Sequence, residues 1–430
     1  MKLLEKVNNK IKEKGLIFTI VFTMNSLTHS LISKIIYLIA KKISLKDVYV
    51  FYSLPDFSDN AKELYNYYRN NKEYNKYKFV WLVSDPKKYK HLKNERTIFI
   101  KDNSEYHSGK TIKALWYTSI SKIMFYTHMC PITSLKKYKR EGQLVINLWH
   151  GCGYKKIEDK TLKKRREVLF DYVLVPGPIF IKTKAEFFRC SISQIIDIGY
   201  PRYDLFTKEN TNTVRFIKKI KGNNKLILWM PTFRKTGKDY YPEEQIKSSF
   251  DLPLLNSKEE LFEFNNICKA KNMILCIKRH PMQTNYECEK EKLSNIIFID
   301  NKTLIEENID LYSLLKYTDG LITDYSSVAI DYLLLNKPIA FTLNDFEEYS
   351  KLRGFVFKEP KKYMPGHHIY NFEDMKKYIE DIGNDKDLYK QDRQAIMNEV
   401  HNPCDNYCER IVNKIEEIME EKNEKDTKKN

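Results

Sequence analysis

The sequence predicts an α/β protein made of two Rossmann-like domains, and three observations lead there. First, 430 residues and 51.4 kDa exceed what one hydrophobic core organises, and 42% apolar residues suffice for two. Second, short apolar runs ending in turn or polar residues alternate with helical stretches, the pattern of βαβ units on a parallel sheet. Third, those runs fall into two series separated by a polar stretch near 207–224.

The first series is VYVFYSL (48–54), KFVWLVS (78–84), TIFI (97–100), SKIMFYT (121–127), LVINLWH (144–150) and DYVLVPG (171–177), with helical stretches such as NAKELYNYYRNN (60–71) between them. The second is LILWMPT (226–232), MILCIKRH (273–280), NIIFID (295–300), GLITDYSS (320–327) and PIAFT (338–342), with SVAIDYLLLN (327–336) as an apolar helix between the last two strands. This assigns 46–206 to an N-terminal domain, 207–224 to a linker and 225–385 to a C-terminal domain. A helical pattern follows over 386–420, and 421–430 (EKNEKDTKKN) forms a charged tail with no apolar face to bury.

Residues 1–45 read differently. The first 42 carry eight lysines against two glutamates around the apolar stretch 15–40. Asn25, Ser26, Thr28, His29, Ser30, Ser33 and Lys34 make its middle too polar for a spanning helix, so the expectation is an interfacial segment lying on anionic lipid. Charge is also uneven along the chain. Residues 1–220 hold 42 Lys+Arg against 20 Asp+Glu, or +22, and the remainder 32 against 37, or −5, together the net +17. An excess of that kind in one half suits an anionic partner.

The eight cysteines form no Cys-x-x-Cys pair, which argues against a zinc site, and several sit in apolar runs as core residues. No cleavable secretion signal is evident, so the expected compartment is the reducing cytosol. No dense carboxylate cluster calls for a metal, no cofactor motif appears, and no nucleic-acid motif accompanies the positive charge.

Ligands of open α/β sheets bind beyond the carboxyl ends of the strands, so the polar residues just after each run are the candidates. LVINLWHGCGYKK places His150 there as a base for an acceptor hydroxyl. Gly151 follows where backbone can approach a ligand, with Lys155 and Lys156 at phosphate distance. CIKRHPMQ repeats the arrangement with Arg279 and His280. GLITDYSSVAID puts Asp324 at a strand end and Ser326 and Ser327 at a helix start, an arrangement that suits a pyrophosphate. WMPTFRK presents Thr232 and Arg234 as candidates for the donor phosphates, and GYPRYD presents Arg202, expected at the surface on the acceptor or phosphate side.

Taken together, WHG…K, PGP (176–178), GYPRxD, PTxR, RxHP and TDYSSxxxD, in this order, resemble the CDP-glycerol glycerophosphotransferases: the teichoic-acid primases and polymerases with their CDP-ribitol-using relatives. The resemblance covers roughly residues 48–410. It implies a two-domain GT-B arrangement with the domains facing across a cleft. It also implies His150 as catalytic base, His280 as a second essential histidine near the donor phosphates, and Asp324, Ser326 and Ser327 as donor-pyrophosphate contacts with Arg234 nearby. The expected donor is CDP-glycerol or CDP-ribitol. The expected acceptor is a polyprenyl- or lipid-linked polymer at the cytoplasmic face of the membrane, where the protein is held peripherally. A GT-B glycosyltransferase using a nucleotide sugar is the alternative on the same fold.

Two departures stand out. The family motif commonly continues HG with Thr-Pro, whereas Cys152-Gly153 stands here. Near the C-terminus HNPCDNYCERI (401–411) keeps Arg410 but lacks the family's glycine-rich turn.

Overall fold

A computed structural model describes residues 30–102, 111–128, 139–156, 169–231, 252–279 and 287–427, together with Gly15. The chain divides into two compact units. The first gathers the N-terminal residues through His150 with Glu167–Leu174 and Cys408–Asn430, and the second gathers Gly151–Arg166 and Val175–Tyr407.

Unit one is a parallel sheet in the order β3-β2-β1-β4-β5-β6. Its strands are β1 (Lys46–Tyr52), β2 (Lys78–Val83), β3 (Thr97–Lys101), β4 (Ser121–Tyr126), β5 (Leu144–Asn147) and β6 (Tyr172–Leu174). Near-continuous apolar strands are what a sheet covered on both faces requires. Accordingly, Val50 sits opposite Val80 and Met124, and Phe51 stacks on Trp81 at 5.2 Å and on Phe125 at 5.0 Å. Helix α2 (Asp59–Asn70) buries Ala61, Leu64, Tyr65 and Tyr68, an i, i+3, i+4, i+7 stripe, and α3 (Ile112–Ile120) leads into β4. The strand order reverses at β1/β4, so β4 and β5 end on the side of a topological switch point.

Before β1 lies a helix, α1, over residues 30–40. It buries Ser33, Ile36 and Ala40, while Leu31, Ile32, Ile35, Leu38 and Ile39 are exposed. Residues 1–14 and 16–29 of the basic N-terminal segment lie outside the described residues. Among the described residues no helix is long and apolar enough to cross a membrane.

Unit two begins with α4 (Phe180–Phe188) and the two-residue β7 (Ile195–Ile196). Its main sheet, also parallel, runs β10-β9-β8-β11-β12-β13. The strands are β8 (Lys225–Trp229), β9 (Met273–Lys278), β10 (Ile296–Ile299), β11 (Gly320–Thr323), β12 (Ile339–Thr342) and β13 (His367–Ile369). The reversal falls at β8/β11, and Met230 and Asp324 follow those two strands. Helix α6 (Lys258–Ala270) covers the sheet with Leu261, Phe264 and Cys268. The short α7 (Ser327–Tyr332) follows β11, and α8 (Phe372–Gly383) contributes Met375, Tyr378, Ile379 and Ile382 to the core.

Three details differ from the sequence reading. The stretch 207–224 is not a plain linker: it holds α5 (Thr211–Lys221), capped by the Asn210 side chain and burying Thr213, Phe216 and Ile217 at helical spacing. The single pattern expected over 386–420 is two helices, α9 (Lys390–Val400) and α10 (Tyr407–Thr427), with Pro403 in the break. Helix α10 also runs on through residues 421–427, expected as tail. Its Ile411, Val412, Ile415 and Ile418 are buried, and in unit one Tyr74 donates to Glu416 at 2.8 Å.

Candidate functional site

In unit one the chain turns sharply after β5. Trp149, a bulky residue, adopts a positive φ of 53°, and Gly151 follows at 138°. A non-glycine residue in the left-handed region costs on the order of 1–3 kcal/mol and needs outside support. The support is visible. Asn60 of α2, wholly buried, donates from Nδ2 to the carbonyls of Leu148 (3.1 Å) and Trp149 (2.9 Å), and Asn147 Oδ1 accepts from the Trp149 backbone N–H at 2.9 Å. The strained turn presents His150.

His150 is half-buried, and its Nδ1 lies 3.2 Å from the carbonyl oxygen of Thr127, just beyond β4. A carbonyl only accepts, so this contact places the proton on Nδ1 and makes Nε2 the basic nitrogen of the neutral ring. A neutral imidazole so oriented can take a proton from a hydroxyl. Against it, plane to plane at 4.0 Å and 4°, lies His128, and Trp149 flanks the ring at 4.0 Å and 43°. Neither His128 nor Asn60 was found from sequence. The available signal was a second histidine just after a strand, in FYTHMC.

In unit two, the turn Gly151-Cys152-Gly153 lies against the start of α7. A Cβ on Gly151 would stand 2.7 Å from Ser327 Oγ, and one on Gly153 would stand 3.1 Å from the Ser327 backbone nitrogen and Cα. The glycines, read from sequence as room for a ligand, are required first by this approach to Ser327. Cys152 is fully buried, its Sγ 3.2 Å from the Tyr200 hydroxyl. Burial raises both groups' pKa values, so both stay neutral. Residues 154–156 then run along the loop before Phe357. The Val356 N–H donates to the Tyr154 carbonyl at 2.8 Å, Lys156 N–H to the Gly354 carbonyl at 3.1 Å, and Lys155 pairs with Phe355.

Arg202 is neither a surface residue nor open to a phosphate in this arrangement. It is 3% exposed, its Nη2 lies 2.7 Å from Asp331 Oδ2, and its guanidinium stacks over the Tyr312 ring at 4.4 Å. The hydroxyls of Tyr203 and Tyr312 also donate to Asp331. Two motifs, GYPRxD and TDYSSxxxD, are thus joined by a buried ion pair under α7.

Ser326 caps that helix, its Oγ accepting from the Val328 N–H at 3.5 Å, and both Ser326 and Ser327 are partly exposed. Asp324 is fully buried. The next residue, Tyr325, is buried too and donates to Asp345 at 2.8 Å. Arg279, at the end of β9, is engaged by two carboxylates: Nη2 donates to Asp300 at 2.8 Å, and Nε lies 3.0 Å from Glu289. The Thr303 backbone N–H, chief among several contacts, holds the Asp300 carboxyl below its ordinary range. Burial pushes Glu289 up, against the pull of Arg279. Thr232, Arg234 and His280 lie outside the described residues. Among the described residues no cluster of His, Cys, Asp and Glu could hold a metal, and seven cysteines are free thiols.

The profile of a family described as CDP-Glycerol:Poly(glycerophosphate) glycerophosphotransferase matches residues 35–417. The chain is 32% identical to the teichoic acid ribitol-phosphate primase of Bacillus spizizenii over 53% of its own length and 58% of that protein's. It is 28% identical to the teichoic acid poly(glycerol phosphate) polymerase of the same organism, over 85% of this chain and 89% of the relative. With the teichoic acid poly(ribitol-phosphate) polymerase it shares 28% identity over 67% of this chain, spanning 49% of that longer protein. The matches thus span little more than half of the primase and about half of the ribitol-phosphate polymerase. Among solved structures, the wall teichoic acid polymerase TagF superposes with a TM-score of 0.67 at 20% identity, covering 94% of this chain and 99% of the other. A UDP-N-acetylglucosamine 2-epimerase from Listeria monocytogenes gives 0.54 at 14% identity over 87% and 97%. At such identities these are likenesses of fold, and they agree with two parallel-sheet units of GT-B type.

Proposed function

This chain belongs to the CDP-glycerol:poly(glycerophosphate) glycerophosphotransferase family, and from that premise we propose that it transfers a polyol phosphate from a CDP-linked donor to a hydroxyl of a teichoic-acid-type or capsular polymer, releasing CMP. The observation that carries the reading is His150: at a strand's carboxyl end, on a strained and buttressed turn, with Nδ1 donating to the Thr127 carbonyl, the tautomer in which Nε2 can act as base.

In the proposed step the acceptor hydroxyl gives its proton to His150 Nε2 as its oxygen bonds to the β-phosphorus. The bridging P–O bond to CMP breaks, and CMP leaves with the electron pair. Such a transfer needs mainly positioning and charge stabilisation. The partly exposed Ser326 and Ser327 at the start of α7 are the proposed donor-phosphate contacts, and buried Asp324 shapes the turn before them. His280, Thr232 and Arg234 join them on the strength of the motifs. Lys155 and Lys156 are proposed to supply positive charge for phosphate on the acceptor side. Arg202 and Arg279 are proposed to hold these turns in place, since each is ion-paired.

The acceptor is proposed to be lipid-linked, with the enzyme held peripherally on the cytoplasmic face of the membrane. Support comes from α1, whose exposed Leu31, Ile32, Ile35, Leu38 and Ile39 share one face beside Lys34, Lys41 and Lys42.

The decisive measurement is CMP release from CDP-glycerol, CDP-ribitol and other CDP-polyols with a membrane-anchored acceptor. His150→Ala is expected to cut turnover at least about a hundredfold with folding intact. Activity with a nucleotide sugar alone would transfer the assignment to a glycosyltransferase, and near-normal turnover in folded His150→Ala would end the base assignment.

A further inference from the structure

We propose that His128 is a positioning residue that holds the His150 ring in one plane and opposes the protonation of both rings at once. This rests on the reading of His150 as the base. Thr127 carries both rings: its carbonyl oxygen accepts from His150 Nδ1 at 3.2 Å, and its hydroxyl lies 2.8 Å from His128 Nδ1. The two imidazoles are parallel within 4° at 4.0 Å, a separation at which an aromatic face fixes its neighbour's tilt. Thr127 is itself fully buried, so the ledge that sets both rings is anchored in the core.

The stack has a chemical consequence. Two imidazolium ions at this separation repel, so each ring disfavours a charge on the other. His128 faces the His150 ring, and Thr127 from the same strand end and Trp149 from its own turn also lie beside it. With both neutral, His150 can accept the acceptor's proton, and a single charge then sits against a neutral ring. As the pH falls, the pair admits its first proton but resists the second, so the two rings titrate as a unit.

The experiment compares His128→Phe and His128→Ala with the parent chain by CMP release across pH and by imidazole NMR titration of His150. Phe preserves a stacking face without a titrating group. It is expected to keep turnover at neutral pH within a few-fold of the parent and to shift the His150 titration, and with it the acidic limb of kcat/KM, to higher pH. Ala removes the face as well and is expected to lower kcat about tenfold or more, with the donor KM unchanged. Parent-like pH profiles and kcat in both folded variants would overturn the proposal while leaving His150 as base. Full activity in His150→Ala would instead sink the reading beneath it.

Discussion

The guanidinium of Arg202 lies 2.7 Å from the carboxylate of Asp331, with both side chains essentially excluded from water. Asp331 also accepts from Tyr203 and Tyr312, so removing the arginine leaves a buried anion held by hydroxyls alone.

Removing one partner of such a pair costs about 3–5 kcal/mol, whereas replacing both by apolar groups costs far less. Arg202→Met is therefore expected to lower the denaturation midpoint strongly, and Asp331→Leu likewise. The double variant should be more stable than the sum of the two losses. Strict additivity in a double-mutant cycle would show that the two residues do not act as a pair.

A second expectation concerns Gly151 and Ser327. A methyl on Gly151 meets Ser327 Oγ at 2.7 Å on a backbone with φ of 138°. Gly151→Ala should thus impair activity by about tenfold or more, and Ser327→Ala in the same chain should restore part of it by removing that oxygen. Ser327→Ala alone should raise the donor KM more than the acceptor KM. An effect confined to the acceptor would displace the proposed phosphate contact.

Much of this arrangement could be read from the sequence, for identifiable reasons. All eleven apolar runs became strands, because strands buried on both faces need continuous apolar residues and so stand out. His150, Ser326 and Ser327 could be singled out for the same reason: they lie just beyond such runs. What stayed hidden depends on distant pairing. Nothing local in Arg202 says that it meets Asp331, 129 residues away, nor in Asn60 that it supports Trp149. The short β13 was missed because three residues carry no periodicity. α5 was taken for linker because its polar surface dilutes a narrow apolar stripe.

Acid should weaken unit two through His401. This residue is fully buried, its Nε2 donates to the Ile330 carbonyl at 2.8 Å, and burial lowers its pKa. Above about pH 6.5 the ring is neutral both folded and unfolded, and it adds no pH dependence. Below that, the unfolded chain takes up the proton first, so stability falls as the pH drops toward the lowered folded value. Half-buried His367 and His368, also lowered by desolvation, act in the same sense. His401→Gln should be less stable at pH 7.5 but lose less on acidification to pH 5. Parallel losses in the two proteins would remove His401 from the account.

The membrane expectation can be tested without dismantling the fold. Helix α1 turns Ser33, Ile36 and Ala40 inward, and Arg140 donates to the carbonyl of Ile43 just after it, so deleting the segment would remove packing as well as any lipid contact. The exposed face offers a cleaner change. Leu31, Ile35 and Leu38 are 60%, 47% and 51% exposed, so substituting them with glutamate costs little in the isolated protein but opposes insertion into an anionic surface. Lysines near such a surface contribute on the order of 1 kcal/mol each, and apolar insertion adds a part that salt does not screen. The parent chain should therefore sediment with vesicles containing anionic lipid, and high salt should release only a fraction of it. The triple glutamate variant should stay in the supernatant, keep the parent's melting temperature, and still release CMP with a short soluble acceptor. Equal sedimentation of variant and parent would mean that α1 does not touch lipid.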